Sequence, residues 1–220
     1  MKLKLQMSLV LFSIIFFGCE TEQYEQESEQ SYFEVSEFII NHSTSSRVAL
    51  NNEASCFTLD LIAGRHMLAG SVSISKTDTD LILTYTMQPN WTIGVTHVSI
   101  GDCDEEWVPT TGSGNPKIGK FSHTEPHSQD VNKVVYHISL DVLPENKDQF
   151  CFAAHAEVYG PDGEETAWAG ALDDNDDDSD DDSGGGVFRT SNFENGYNVV
   201  PFSGRSWAMY IEALQSFCTN

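Results

Sequence analysis

Apolar and polar side chains alternate along most of the chain after residue 55. In "GSVSISKTDTDLILTYTM" (70–87), two alternating runs flank a Thr/Asp-rich turn. Successive side chains of a strand point to opposite faces, so this spacing predicts a β-hairpin. Further strands are predicted at 91–101, 133–140, 150–160 and 206–214. Gly-, Pro-, Asn- and Asp-rich separators and the lack of a long 3.6-residue period predict an all-β fold, an antiparallel β-sandwich of immunoglobulin or jelly-roll type.

The first 18 residues have the three parts of an export signal. Lys2 and Lys4 are basic, residues 7–17 form an apolar run, and the small residue Gly18 follows. A membrane-spanning helix needs about 20 apolar residues, so the shorter run is typical of a signal peptide. We therefore predict a lipoprotein signal peptide at 1–18 and a mature chain without a transmembrane helix.

The five cysteines divide into one and four. If Cys19 becomes the lipid-carrying first residue of the mature protein, an even set remains in an exported chain, which predicts two disulfides with three possible pairings. That set is Cys56, Cys103, Cys151 and Cys218. An ordinary cleaved signal with Cys19 as a stray thiol stays open as the alternative.

Strand parity favours one of the three pairings. If the strands around Cys103 and Cys151 are antiparallel neighbours with these cysteines opposite each other, a bridge between them places His97 and His155 on one face, about one diagonal step apart. Cys56 is then left for Cys218. On the chain-entropy model, so long a loop stabilises the fold by about 4–5 kcal/mol.

The signal also carries a family resemblance. "FFGC" (16–19) resembles the lipobox of bacterial lipoproteins, with Phe16 where Leu is usual, and "ETE" (20–22) resembles the surface-export signal of Bacteroidetes lipoproteins. The resemblance implies that lipid on Cys19 anchors the protein in the outer membrane, facing the cell surface or the periplasm. The membrane is then a partner through the lipid.

Two acidic segments flank or interrupt the predicted domain, which spans 53–220. Residues 19–52 are predicted to be an extended acidic tether, since charged linkers self-repel, although a strand or short helix at 33–40 stays open. The Asp/Gly-rich insert at 172–200 holds eight aspartates between 173 and 182 and is predicted to be disordered. Its oxygens also leave weak Ca²⁺ association open, but it lacks the EF-hand pattern.

Residues 57–214 resemble a recurrent β-rich domain of bacterial and archaeal surface proteins. The motifs that carry the resemblance occur in order: "DLIAGRHMLAGSVSI", "VTHVSIGD", "GNPKIGKF", "YHISL", "FAAHAEV", "EETAWAG" and "WAMYIE". Arg65, where Gln is usual, and the acidic insert depart from the pattern. The domain has no assigned activity, so the resemblance implies fold and location and no catalytic residue.

Histidines are the first candidates for chemistry. Three imidazoles, with or without a carboxylate, could hold Zn²⁺ with an open fourth position for hydrolysis, which makes a metal-dependent hydrolase built on His97, His155 and His127 one alternative. Four histidines are candidates for these ligands. They are His97, His155, His127 and His123. Their spacing matches no standard metal motif. The competing interpretation is four strand histidines hydrogen-bonded to neighbouring groups.

Aromatic residues are the second candidates. A flat platform for a glycan could be formed by the four tryptophans, Trp91, Trp107, Trp168 and Trp207, with Tyr159 and Tyr210, and Glu165 beside Trp168 could line a cleft. A carbohydrate-binding module is therefore the other alternative. Core packing is the competing interpretation. The net charge of −23 argues against nucleic acid, whose recognition needs basic patches. The sequence therefore favours a non-catalytic binding or structural module with a glycan or protein ligand and no required cofactor.

Overall fold

The structure is a computed structural model that describes residues 33–40, 55–171 and 193–218. These residues belong to one compact unit, Ser31–Asn220. Within them the chain forms strands and three short 3₁₀ turns and no α-helix. The strands are β1 (Phe33–Phe38), β2 (Phe57–Ala63), β3 (Met67–Lys76), β4 (Asp80–Met87), β5 (Thr92–Gly101), β6 (His123–Pro126), β7 (Lys133–Ser139), β8 (Gln149–Gly160), β9 (Gly163–Gly170), β10 (Tyr197–Pro201) and β11 (Met209–Leu214).

Hydrogen bonds join these strands in a single antiparallel sheet. The main path runs β1–β7–β4–β3–β2–β9–β8 and continues to β11 and β10. On its other side β8 pairs with β5, and β5 pairs with β6. The all-β, antiparallel fold predicted from the sequence is confirmed. The strands that face each other across the core belong to one continuous sheet and not to the two separate sheets of a sandwich.

The sheet curls nearly into a barrel, because its two ends meet through side chains. The ring of Phe33 on β1 stacks on that of His123 on β6, with centroids 5.1 Å apart. Beside them, Glu37 Oε1 lies 2.8 Å from Nδ1 of His127. We call this contact between β1 and the β6 segment the seam.

The interior of the barrel is filled by the alternating apolar positions. On β7, Val134, Tyr136 and Ile138 are buried, while the residues between them are more exposed. Across the core, the Tyr85 hydroxyl of β4 donates to the carbonyl oxygen of His155 on β8 at 3.3 Å. The period-2 pattern thus fixes which side of each strand meets the core.

A layer of apolar side chains that belongs to the same hydrophobic cluster covers part of the outer surface of the barrel. Trp168 on β9 contacts Phe121 and Phe202, with ring centroids 6.2 and 6.1 Å away. Both phenylalanines come from loop segments outside the strands. The Ser99 hydroxyl of β5 donates to the carbonyl of Trp107 at 2.7 Å and ties the same covering loop to the barrel. We call this layer the outer core.

Several predicted boundaries need correction. The acidic segment 33–38 is not tether but strand β1, paired along its whole length with β7, so a strand at 33–40 was the right alternative. The predicted insert ends earlier, because β10 already begins at Tyr197. No strand range was predicted for β2, β6, β9 or β10. The signal, most of the tether and the aspartate run, at 1–32, 41–54 and 172–192, lie outside the described residues.

Both disulfides have the predicted pairing. Cys56 is bonded to Cys218, with Cα atoms 4.6 Å apart, and Cys103 to Cys151, with Cα atoms 5.0 Å apart. The predicted strand register is wrong by two residues. Gly101 rather than Cys103 lies opposite Cys151, because β5 ends at Gly101 and Cys103 occupies the following turn. Parity is kept, so the two histidines still share a face.

Removing the Cys56–Cys218 disulfide should lower the free energy of unfolding more than removing the Cys103–Cys151 disulfide. The Cys56–Cys218 bond spans 162 residues and the Cys103–Cys151 bond spans 48. On the chain-entropy model, Cys56→Ala with Cys218→Ala lowers the free energy of unfolding by about 5 kcal/mol, and Cys103→Ala with Cys151→Ala by about 4 kcal/mol. Urea denaturation of the purified variants measures both values, and a loss below about 1 kcal/mol for the long loop contradicts the prediction.

Candidate functional site

His97 and His155 form a buried pair in the outer core. They lie directly opposite each other on β5 and β8, with ring centroids 5.2 Å apart. Only 6% of His97 and 1% of His155 is exposed. The register error noted above accounts for the difference from the predicted diagonal arrangement. Two imidazoles are therefore enclosed side by side, away from solvent.

The pair is poorly supplied with hydrogen bonds. His97 Nδ1 lies 2.9 Å from the Thr124 hydroxyl on β6, but its Nε2 is 3.9 Å from Glu157 Oε1, beyond hydrogen-bond range. Neither ring nitrogen of His155 has a hydrogen-bond partner among the described residues. The His155 ring instead packs edge-on against Trp168, 4.7 Å away.

Burial keeps both imidazoles neutral. It lowers the pKa of His155 to about 3, with a smaller contribution from the neighbouring His97. Burial also lowers the pKa of His97. An enclosed site disfavours the charged imidazolium because the low-dielectric interior cannot replace its hydration. At neutral pH the pair is thus an uncharged packing unit with spare hydrogen-bonding capacity.

The four histidines proposed as metal ligands do not come together. His97 and His155 lie in the outer core, whereas His123 and His127 lie at the seam. His127 hydrogen-bonds to Thr96, and the alternation of β5 places Thr96 on the opposite face from His97. Across the described ranges, no group of three or more His, Cys, Asp or Glu side chains is arranged to hold a metal ion.

A chain of hydrogen bonds crosses the seam. His127 Nδ1 lies 2.8 Å from Glu37 Oε1, and its Nε2 lies 2.6 Å from the Thr96 hydroxyl, which also bonds to the Tyr136 hydroxyl. The hydrogen bond from His127 lowers the pKa of Glu37, so the carboxylate stays ionised. An ionised carboxylate only accepts hydrogen bonds, so the imidazole donates to it through Nδ1.

This order of carboxylate, imidazole and hydroxyl is the one that activates a nucleophile in hydrolases. Here the hydroxyl cannot attack a substrate, because Thr96 is completely buried. The chain instead stabilises the closure between β1 and the β6 segment. Sequence analysis missed it because Glu37 and His127 are separated by 90 residues and Glu37 was assigned to the tether.

The residues proposed as a glycan platform are also divided. Trp168 is only 3% exposed, so it is core and cannot serve as a platform. Trp107 is partly buried and packs against Tyr210, with ring centroids 5.5 Å apart. Glu165 lines a shallow acidic depression with Glu157 and Glu164. The structure does not join Trp107, Trp168 and Glu165 in one surface.

Another surface combines an exposed aromatic ring with several polar groups. An open depression of about 440 Å³ lies where the end of β8 meets the start of β5 and the turn after β6. Tyr159, which is 47% exposed, forms one wall. The lining includes Thr92, Gly94, Ser128, Gln129 and Asp130. We call it the Tyr159 depression; of its residues, the sequence had singled out Tyr159 as a platform residue and His127 as a metal ligand.

Comparisons with protein-family models, with curated proteins and with solved structures give no match to this chain. A function can therefore be argued only from the chain's own residues and from the resemblances in its sequence.

Replacing His155 with phenylalanine should keep the protein folded and make it less sensitive to acid. The unfolded state takes up a proton near pH 6.5 and the folded state only near pH 3. The stability that this histidine supplies is thus complete above pH 6.5 and declines as the pH falls. Linkage gives a loss of about 2 kcal/mol between pH 8 and pH 5, which the His155→Phe variant should avoid.

Urea denaturation of both proteins at pH 8 and pH 5 measures this difference. At pH 8 we expect the variant to be as stable as the wild type, because an apolar ring of similar shape leaves no polar group unpartnered. A destabilisation above about 2 kcal/mol at pH 8, or an unchanged pH dependence, would contradict the proposed environment of His155.

Removing the carboxylate of the seam should destabilise the fold only where that carboxylate is ionised. We expect Glu37→Gln to lower the free energy of unfolding at pH 7 by about 1 kcal/mol, the usual contribution of one hydrogen bond. The folded-state pKa of Glu37 is lowered, so its contribution is present above pH 4.5 and is lost as the pH falls through the folded-state value. The difference between variant and wild type should therefore shrink at pH 3.

The exposed Glu34 on the same strand offers a matched control. Glu34→Gln should change the stability measured at either pH by less than about 0.5 kcal/mol. Equal effects of the two substitutions would show that the seam hydrogen bond does not stabilise the fold.

Proposed function

We propose that this chain is an exported surface protein, anchored to the outer membrane by lipid on Cys19, whose β domain is a non-catalytic binding or structural module. The observation that carries the proposal is the pairing of the other four cysteines in two disulfides. Cys19 is then the odd one of five cysteines, and it directly follows a short apolar run that ends in glycine.

The disulfides support the exported location. Such bonds persist in oxidising compartments outside the cytoplasm. Within the described residues, no helix reaches the length and apolar content needed to cross a membrane. Attachment through a lipid on Cys19 is consistent with both findings, and the lipobox-like "FFGC" and the following "ETE" support the outer membrane as its destination.

The described chemistry favours binding or structure over catalysis. The two outer-core histidines are neutral and enclosed, and the seam hydroxyl that could have served as a nucleophile is completely buried. Nothing in the described residues favours the metal-dependent hydrolase. The resemblance of residues 57–214 to a recurrent surface-protein domain agrees with a structural or binding role.

Charge limits the class of partner. A net charge of −23 repels nucleic acid and anionic surfaces. The partner that remains is a glycan or a protein that offers neutral or basic groups. Apart from the membrane reached through the lipid, the proposal places the ligand at the cell surface or in the periplasm.

Metabolic labelling tests the anchor. We expect the full-length chain, expressed in a Bacteroidetes host, to incorporate radiolabelled palmitate and to sediment with outer membranes. The Cys19→Ala variant should carry no label and should be lost from the membrane fraction. Its folded domain should be unaffected, because the two disulfides do not involve Cys19.

Ser8→Ala, within the apolar run of the predicted signal, is the matched control and should be labelled like the wild type. No label in the wild type, or equal label in the wild type and the Cys19→Ala variant, would overturn the lipoprotein assignment. Protease treatment of intact cells then reports whether the domain faces outwards.

A further inference from the structure

The Tyr159 depression combines an exposed aromatic ring with a short polar turn. The Tyr159 ring lies across Gly94 on the neighbouring strand, so close that a Cβ at position 94 would lie 2.7 Å from the ring. Ser128, Gln129 and Asp130 face the same depression and are exposed. A flat ring and a set of small polar groups thus border one solvent-filled space.

The backbone around the depression is held in place before any ligand arrives. The pairing of β5 with β8 is interrupted by a bulge between Ile93 and Val95, which places Gly94 at the base of the depression. The carbonyl of Gly94 accepts a 2.8 Å hydrogen bond from the His127 amide at the start of the polar turn. Asp130 has a φ of 66°, a left-handed conformation that aspartate tolerates better than most residues.

The side chain of His127 also holds the start of the polar turn in place. Its two nitrogens are held by Glu37 and Thr96, as described for the seam. Ordering a loop before binding reduces the entropy that the ligand must offset. The seam therefore serves the depression as well as the barrel, because it holds the residue from which the polar turn starts.

The composition of the depression selects a chemical class. The face of an aromatic ring carries partial negative charge and attracts the weakly positive C–H groups of a sugar ring. Gln129 can both donate and accept hydrogen bonds, and the carboxylate of Asp130 accepts them. The Ser128 hydroxyl donates to Glu37 and keeps its acceptor capacity. These are the partners that a ring with several hydroxyl groups requires.

Other ligand classes fit less well. Among the described lining residues there is no lysine or arginine, and one is an aspartate, so a phosphate, sulfate or uronate would be repelled. The exposed lining is as polar as it is apolar, which disfavours a wholly apolar, lipid-like ligand. A neutral sugar satisfies both restrictions.

We propose that the Tyr159 depression binds a neutral sugar unit of a glycan. Tyr159 stacks on one face of the sugar ring, and Gln129 and Asp130 hydrogen-bond to its hydroxyl groups. The Ser128 hydroxyl already donates to Glu37, so it adds only an acceptor for the sugar. This inference rests on the proposed function, since it names the ligand class and the site of the binding module.

Affinity electrophoresis tests this site with defined probes. The protein is produced from residue 20 onwards, so that it lacks Cys19, and is purified with its disulfides formed. It is then run through gels that contain a polysaccharide. The probes are xylan, mixed-linkage β-glucan, galactomannan and starch, with polygalacturonate and alginate as acidic counterparts. We expect retardation by at least one neutral probe and none by the acidic ones.

Variants then locate the binding. Tyr159→Ala should weaken binding of the retarding probe at least tenfold, while Tyr159→Phe, which keeps the ring, should stay within about threefold of the wild type. Gln129→Ala, a change in an exposed turn, should weaken binding several-fold without affecting folding. Leu68→Ala removes an equally exposed apolar side chain (41% against 47%) outside the depression and should bind like the wild type. Thermal melts confirm that each variant is folded.

Three results would overturn the inference: no retardation of the wild type by any neutral probe, stronger retardation by an acidic probe, or unchanged binding by both Tyr159→Ala and Gln129→Ala. The third result places glycan binding elsewhere on the domain and leaves the binding module standing. None of these results bears on palmitate labelling of Cys19, so failure of the sugar site and failure of the lipoprotein assignment are distinguishable.

Discussion

The hydrogen-bonding of β8 on both of its edges is the constraint on which the rest of the structure depends. One edge pairs with β5 along most of its length, and the other is shared between β9 and β11. Every residue from Phe150 to Ala156 is buried, so this segment also has protein against both faces. A strand in that position must be almost wholly apolar or small, which explains the run "FCFAAHA". The single imidazole within it, His155, is correspondingly neutral.

In the part of the chain that the structure describes, the seam, unlike β8, joins its strands through side-chain contacts alone. Every described strand except β1 lies between Cys56 and Cys218, the two ends of the longest covalent ring. Strand β1 lies outside that ring and is held by its pairing with β7 and by the contacts of Phe33 and Glu37. If the chain is tethered through Cys19, β1 is the first described strand to receive a pull on the anchor. The hydrogen bond between Glu37 and the His127 imidazole then helps to keep the barrel closed.

The sequence predicted the fold class and both disulfides because each depends on a local or countable pattern. Alternation revealed β3, β4, β5, β7, β8 and β11, and strand parity favoured the right cysteine pairs. It missed β9, whose "GEETAWAG" alternates poorly, and placed β1 in a tether, because an acidic edge strand has the composition of a linker. The register of β5 was two residues out, since nothing in the sequence shows that the strand ends at Gly101 and that Cys103 follows in the turn.

The Tyr159 depression was less predictable than the fold, because one face of β8 is buried at one end of the strand and exposed to solvent at the other. Cys151, Ala153 and His155 on the outer face of β8 are buried under the outer core, Glu157 is partly exposed, and Tyr159 is 47% exposed. Their spacing is identical, so the pattern alone cannot show where the covering loops stop. An aromatic residue beneath the covering loops is part of the core, as Trp168 is. One beyond them is exposed and available to a ligand, as Tyr159 is. The choice between packing and binding for each aromatic residue is therefore made by the covering loops and not by the strand that carries it.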